Sequence, residues 1–381
     1  MTSAAVVRPK RVSFLELFFD LVFVFAVTQM VGLLMDDPGA AGWGRAALVL
    51  WLVWWAWSQY AWAGNAIDLD RRVVRLAVLA TTGAMLLAAV AIPSAFGGSG
   101  LWFAVPYVVV RLVGLGLYWF GLADDPEHQA ALRTYLPVQC LSPLLIIIGG
   151  FTDPDIRVWL WTAAVVIDVV SVALAGRGEF RIDPAHFAER HGLIVIIALG
   201  ESIVAIGATA ADVGLDRTIT ITLAIAYIAV AALWWSYFDW VHGAAEDRLD
   251  REIDNRRRAR LARDLFTFWH LPIIAGTVVF AAAIETAIHD PAEHLDTFGV
   301  TALAVGPALF LLGFVGGNLR ATGRLLWTRV VGLVAIVVAA VIVSRSAAAI
   351  AAIATIAVAL VAVATVETLR SPAAGGSAGA A

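Results

Sequence analysis

Apolar residues run along this chain in blocks of about 18–25, broken by short charged segments, and that is the length at which a helix crosses a bilayer. The blocks lie near 13–33, 42–64, 73–95, 101–122, 134–151, 156–176, 190–210, 217–241, 264–287, 297–317, 327–344 and 346–367. They predict an all-α integral membrane protein with about twelve transmembrane helices. Only Ser344-Arg345-Ser346 separates the last two blocks. As one helix they would extend about 63 Å, twice the hydrocarbon thickness, so a hairpin is expected there.

Composition sharpens the picture. The chain is 61% apolar and 15% charged, against about 45–50% and about 25% in a soluble domain. The net charge of −4 conceals an asymmetry. With an interior N-terminus, the inward loops hold 21 of the 26 Lys and Arg. The outward loops hold Arg45, Arg157, Arg217 and Arg345, and Arg111 falls inside a span. Such a bias is what the positive-inside rule produces, and it places both termini in the cytoplasm. Cys140 is the single cysteine, so no disulfide framework or thiol metal site is expected. The first apolar run has no small-residue cleavage site after it and reads as a retained span.

The chain reads as a duplication. Phe14-Leu15-Glu16 opens the first span and Phe187-Ala188-Glu189 the seventh. Trp54-Trp55-Ala56-Trp57 is answered by Trp234-Trp235-Ser236-Tyr237, and Arg75-Leu76-Ala77 by Arg260-Leu261-Ala262. Six spans per unit is an even number, so two parallel six-helix repeats are expected. The divisions are a cytoplasmic segment 1–12, a first repeat 13–176, a linker 177–189, a second repeat 190–367 and a disordered tail 368–381. Within the second repeat, residues 243–263 form a charged cytoplasmic loop whose arginines suit anionic lipid headgroups.

Ionisable residues in hydrocarbon are costly and mark partners, water or protein interior. Glu16 and Asp20 lie four residues apart, on one helical face. With Glu189 and His191 at the start of the seventh span, they are expected to line a water-accessible cytoplasmic vestibule or ion pathway. Pairing with Arg11, Arg190, Arg260 or Arg263 is the structural alternative. Asp239, His242, Asp264 and His270 add inner-interface polarity. A mid-membrane polar network is expected from Arg111, Asp168, Glu201 and Ser202, with Gly200 allowing close backbone approach. The Trp and Tyr clusters of spans two and eight read as interfacial belts. No nucleotide loop, dinucleotide fingerprint or metal spacing is present in the sequence, so no cofactor, metal or catalytic residue is assigned.

The run Glu16-Leu17-Phe18-Phe19-Asp20-Leu21-Val22-Phe23-Val24-Phe25-Ala26-Val27-Thr28-Gln29 resembles the bacterial low temperature requirement protein A family. So do Glu189 to Ser202 and Trp234-Trp235-Ser236-Tyr237-Phe238-Asp239. That resemblance implies a polytopic protein of the bacterial cytoplasmic membrane with a stress-linked role. The first helix is also similar to that of a potassium-channel family marked by a Phe-Ser-Asp motif. There six-span units line a pore with their first helices. Here Phe19 stands at the motif Ser, Phe14 at the motif Arg, and Leu193 at the second-repeat Asp.

The function expected from this pattern is channel-like or proton-coupled transport of a small cation, with Phe23, Ile194 and Ile197 as an apolar constriction. A membrane-embedded enzyme acting on a lipid or lipid-linked substrate is the alternative, with Glu189, His191, Asp239 and His242 as acid and base groups. A non-catalytic stress-response scaffold is a third. Expected partners are membrane lipids, a small cation or proton and a second copy of the chain. Nucleic acid is not expected.

Overall fold

Within lipid a backbone must satisfy its own polar groups, and a helix does so within one segment. In a computed structural model of the chain, residues 11–98, 100–121, 123, 126–175, 182–239 and 248–370 are described. Among them every regular element is helical and no strand occurs. The helices are α1 (Phe14–Asp36), α2 (Ala40–Ala66), α3 (Arg72–Val90), α4 (Gly100–Gly121), α5 (Pro126–Gly150), α6 (Pro154–Ala175) and α7 (Pro184–Val213). They continue with α8 (Arg217–Phe238), α9 (Asn255–Ala262), α10 (His270–His289), α11 (Thr297–Thr322), α12 (Trp327–Val343) and α13 (Ala349–Arg370). A π-turn, Arg263–Phe268, joins α9 to α10.

Each apolar block of the sequence carries a helix. Eight candidates among the described residues are long and apolar enough to cross a membrane: α1, α3, α4, α7, α8, the run α9–α10, α11 and α13. Shorter apolar stretches lie in α5 (Tyr135–Gly150) and α12 (Trp327–Val343). The charged residues between blocks begin helices. Ser13 accepts from the Glu16 amide while the Glu16 carboxylate accepts from the Ser13 amide, a reciprocal cap. Asp183, Asp216, Asp254 and Asp296 cap α7, α8, α9 and α11 in the same sense. Backbone donation to Asp254 holds its carboxyl below the usual range. Gly323, at φ +71°, closes α11 in the left-handed conformation that glycine adopts without strain.

Helix α1 is the hub. It packs on α2 and α3 of its own half and on α7 and α10 of the other. Outward faces of the peripheral helices are apolar, as at Val105, Val109 and Leu112 on α4 and Val334, Val338 and Ile342 on α12. These are the surfaces acyl chains cover.

Helices α10 and α11 approach closely at two glycines. A methyl group on Gly276 would lie 2.5 Å from the Gly306 carbonyl oxygen, and one on Gly306 would lie 2.6 Å from the Phe280 amide nitrogen. Small residues permit this backbone contact, which packing in lipid favours. Gly200 does not share that role. A side chain there meets nothing within 4 Å, so the close approach expected at Gly200 does not occur. Gly306→Val is therefore expected to cost about 1–3 kcal/mol through overpacking. Gly200→Val is expected to leave the thermal midpoint of the detergent-solubilised protein nearly unchanged, and melting both variants side by side checks the contrast.

Candidate functional site

The four-residue spacing of Glu16 and Asp20 does put both carboxylates on one face of α1, and that face meets α7. Arg190 of α7 reaches between them. Its Nη1 donates to Glu16 Oε1 at 2.7 Å and its Nη2 to Asp20 Oδ1 at 3.1 Å. Nη1 also donates to the Tyr60 carbonyl at 3.3 Å. Trp57 Nε1 donates to Asp20 Oδ1 at 2.8 Å, and His186 Nε2 sits 3.3 Å from Glu16 Oε1. Glu16 is 2% exposed and Asp20 is 0% exposed. The expected wet vestibule at these two residues is thus replaced by a dry clamp. A charge taken out of water needs a partner in near-contact, and Arg190 supplies one for both acids. Gly64 makes room, since a methyl there would lie 2.7 Å from Glu16 Oε1. The neighbouring crevice holds only about 10 Å³.

The tryptophans of α2 belong to this lock. Trp54, Trp55, Trp57 and Tyr60 are buried, so the interfacial belt expected on α2 is corrected at these positions. Trp54, Ser58 and Trp62 recur every four residues and converge on Thr267 of the π-turn. Trp54 Nε1 donates to the Thr267 carbonyl at 2.7 Å, and Trp62 Nε1 to its hydroxyl at 3.1 Å. Ser58 Oγ lies 3.2 Å from the same hydroxyl. His191 stands beside Trp57, Phe187, Phe266 and His270, with Nδ1 on the Phe187 carbonyl at 2.8 Å. It is fully buried and does not face a wet pathway. On α8, Trp234 and Trp235 are exposed, whereas Tyr237, expected in the same belt, is buried.

The mid-membrane residues divide into two groups. Arg111 and Asp168 are wholly buried and joined in a bidentate pair at 3.1 and 3.2 Å. Tyr107 accepts from Arg111 at 3.2 Å, and Gln139 and Ser171 complete the network across α4, α5 and α6. Glu201 is not part of it. Its carboxylate accepts from the Thr28 hydroxyl of α1. A second acid, Glu285, lies on α10, which packs on both α1 and α7. All three residues are half-buried. Among the described residues no arginine forms an ion pair with Glu201 or Glu285. Ser202 Oγ donates to the Ala198 carbonyl of its own helix at 3.0 Å. Sequence reasoning passed over Glu285, although an isolated acid in the apolar run from Val278 to Ile288 carries the same signal as Glu201.

The other expected site residues scatter. Glu189 accepts from the Val12 amide at 3.2 Å and does not enter the clamp. Asp239 is exposed, with the Thr368 hydroxyl at 3.5 Å. His242 lies outside the described residues, as do parts of the linker and of the 243–263 loop and nearly all of the tail. His270 is buried, with Nε2 at 2.9 Å from the Tyr237 hydroxyl. Asp264 pairs with Arg263 and Arg320. Phe23 and Ile194 line a void of about 20 Å³ with Trp54 and Trp57, and Ile197 does not join them.

Comparison with known proteins adds the following. The family described as bacterial low temperature requirement A protein matches residues 11–365. A relative from Rhizobium meliloti (strain 1021), itself described as an uncharacterized protein, is 33% identical over 316 residues, covering 80% of this chain and 76% of its own. No solved structure matches.

The clamp and the belt respond differently to loss of an indole donor. Trp57→Phe keeps an aromatic ring but removes the bond to Asp20 and part of the buried indole, and is expected to cost about 1–3 kcal/mol of stability or more. Trp235→Phe, at a side chain 45% exposed, is expected to leave the melting temperature in detergent within experimental scatter.

Proposed function

The chain belongs to the bacterial low temperature requirement A family of membrane proteins, and we propose that it moves a small cation or a proton across the bacterial cytoplasmic membrane between its two halves. The observation that carries this reading is the half-buried Glu201, hydrogen-bonded across α1 and α7, with a second half-buried acid, Glu285, on the adjacent α10. The Thr28 hydroxyl is a hydrogen-bond donor to Glu201, and among the described residues neither acid forms an ion pair with an arginine. Acids placed so within a membrane protein call for a proton or a small cation to neutralise them. The alcohol oxygen and carboxylate oxygens are hard ligands that suit either.

The layering supports a path with a closed inner end. Asp20 and Thr28 are eight residues apart on α1, about 12 Å along the axis. The ion-pair clamp sits at the inner level and the acid pair at the outer. Between them lies the apolar void lined by Phe23, Ile194, Trp54 and Trp57, at about 20 Å³ large enough for about one water. In this conformation the inner half is shut. Passage requires α1 to shift against α7, breaking or sliding the Arg190 clamp.

We read the chain as two parallel six-helix repeats with both termini in the cytoplasm. Helix adjacency supports this. In the first half α1 packs on α2 and α3, then α3 on α4, α4 on α5 and α5 on α6. In the second, α7 packs on α8 and α10, then α10 on α11, α11 on α12 and α12 on α13. The pairs α2·α6 and α8·α13 correspond as well, and α1 meets α7, the two opening helices. The positive-inside bias supports the orientation.

Reconstitution in liposomes with a pH-sensitive dye or a cation tracer tests the proposal. Flux above that of empty liposomes is expected, and Glu201→Gln and Glu285→Gln are each expected to lower it toward the empty-liposome level. An absence of flux, or flux unchanged in the double variant, overturns the transport reading and favours a non-catalytic scaffold.

A further inference from the structure

A second polar feature lies far from the acid pair, in the second half alone. The ends of α11 and α13 and the starts of α10 and α12 enclose a cavity of about 440 Å³. That is the size range of small-molecule pockets. Its apolar wall includes Phe314, Ile273 and Trp269, and its polar wall includes Arg248, Arg329 and Arg370. Glu367 is the one acid among the lining residues, so three guanidinium groups face one carboxylate.

Arg329 is the informative member. It is 1% exposed. Its Nε and Nη2 donate to Glu367 at 2.8 Å, and Nη2 also donates to the Ser236 carbonyl at 3.0 Å. The guanidinium lies 4.1 Å from the Phe314 ring centroid. Nη1 has no hydrogen-bond partner among the described residues. A buried guanidinium nitrogen without an acceptor is costly, and here it belongs to a residue that borders an open cavity. Arg370 reaches the Thr328 hydroxyl at 3.1 Å and is otherwise exposed, and Arg248 anchors on the Ala321 carbonyl at 3.1 Å. Arg248 also pairs with Glu252 at 3.8 Å, whereas Arg370 forms no ion pair among the described residues.

We propose that this cavity binds the phosphate headgroup of an anionic lipid drawn from the cytoplasmic leaflet. The chemistry fits part by part. Phosphate offers oxygens for Arg370 and Arg248, which prefer planar, charge-assisted contacts, beside the buried Arg329. Aromatic and aliphatic walls suit the glycerol and upper acyl carbons. The positive-inside bias puts these helix ends at the leaflet where anionic lipid and basic residues meet. The site is separate from the cation path, so it stands whether or not transport is found.

The test uses the full chain in nanodiscs of dioleoyl phosphatidylglycerol or dioleoyl phosphatidylcholine, read by native mass spectrometry of retained lipid and by thermal midpoint. Phosphatidylglycerol is expected to be retained preferentially and to raise the midpoint. Arg370→Gln, which leaves the Arg329–Glu367 pair intact, is expected to weaken that preference about fivefold. Gly317→Leu fills the cavity from a position where an added Cβ meets neighbours at ordinary contact distances of 3.6 and 3.9 Å, and it is expected to abolish the preference with the fold retained. Equal retention of both lipids, or a preference unchanged in Gly317→Leu, overturns the proposal. An equal midpoint shift from inorganic phosphate in lipid-free detergent overturns the lipid as the source.

Discussion

A guanidinium removed from water must be met by carboxylates, and the molecule is arranged around one such meeting. Arg190 comes from the second half, Glu16 and Asp20 from the first, and none of the three reaches solvent. The cost of taking three charges into a dry interior is offset only when every element holding them stays in register. That requirement accounts for Gly64 beside the pair, for Trp57 and the Tyr60 carbonyl turned toward it, and for the Ser13 cap that orients Glu16. The tryptophans of α2 extend the same logic to Thr267, held by a π-turn that re-aims the start of α10.

The buried charges sort by what surrounds them, since Arg111 Nε, Arg190 Nε, Asp20 Oδ2 and Arg329 Nη1 all lack a hydrogen-bond partner among the described residues. Arg111 with Asp168 is met on both sides by Tyr107, Gln139 and Ser171, and it binds α4 to α6 as a structural tie. Arg190 with Glu16 and Asp20 ties the halves. Glu201 and Glu285 are half-buried on adjacent helices, and among the described residues neither pairs with an arginine; Arg329, whose buried Nη1 has no acceptor, borders a cavity. Chemistry is sought where neutralisation is left incomplete, because there an external proton, cation or anion gains most.

Much of the architecture was legible before any coordinates. Apolar block lengths placed the long apolar helices, since in lipid no other local structure satisfies the backbone. The spacing of Glu16 and Asp20 showed their shared face, and Arg190 stood among their expected partners. What one-dimensional reading missed is direction. Depth along a helix does not say which neighbour a side chain meets. Glu201 was therefore grouped with Arg111 at similar depth, while the structure turns it toward Thr28. Trp54 and Trp57 were assigned to the membrane interface by residue type, while their indole donors serve a buried carbonyl and a buried carboxylate. Glu285 carried the right signal and went unread.

The claim that one buried clamp holds the halves together is tested most directly by neutralising it in steps and melting each variant in the same detergent. Arg190→Met alone strands two carboxylates and is predicted to cost about 3–5 kcal/mol. Adding Glu16→Gln and Asp20→Asn removes the stranded charges, and most of that loss is predicted to return. A triple variant no more stable than Arg190→Met, with the three effects simply adding, would contradict the account.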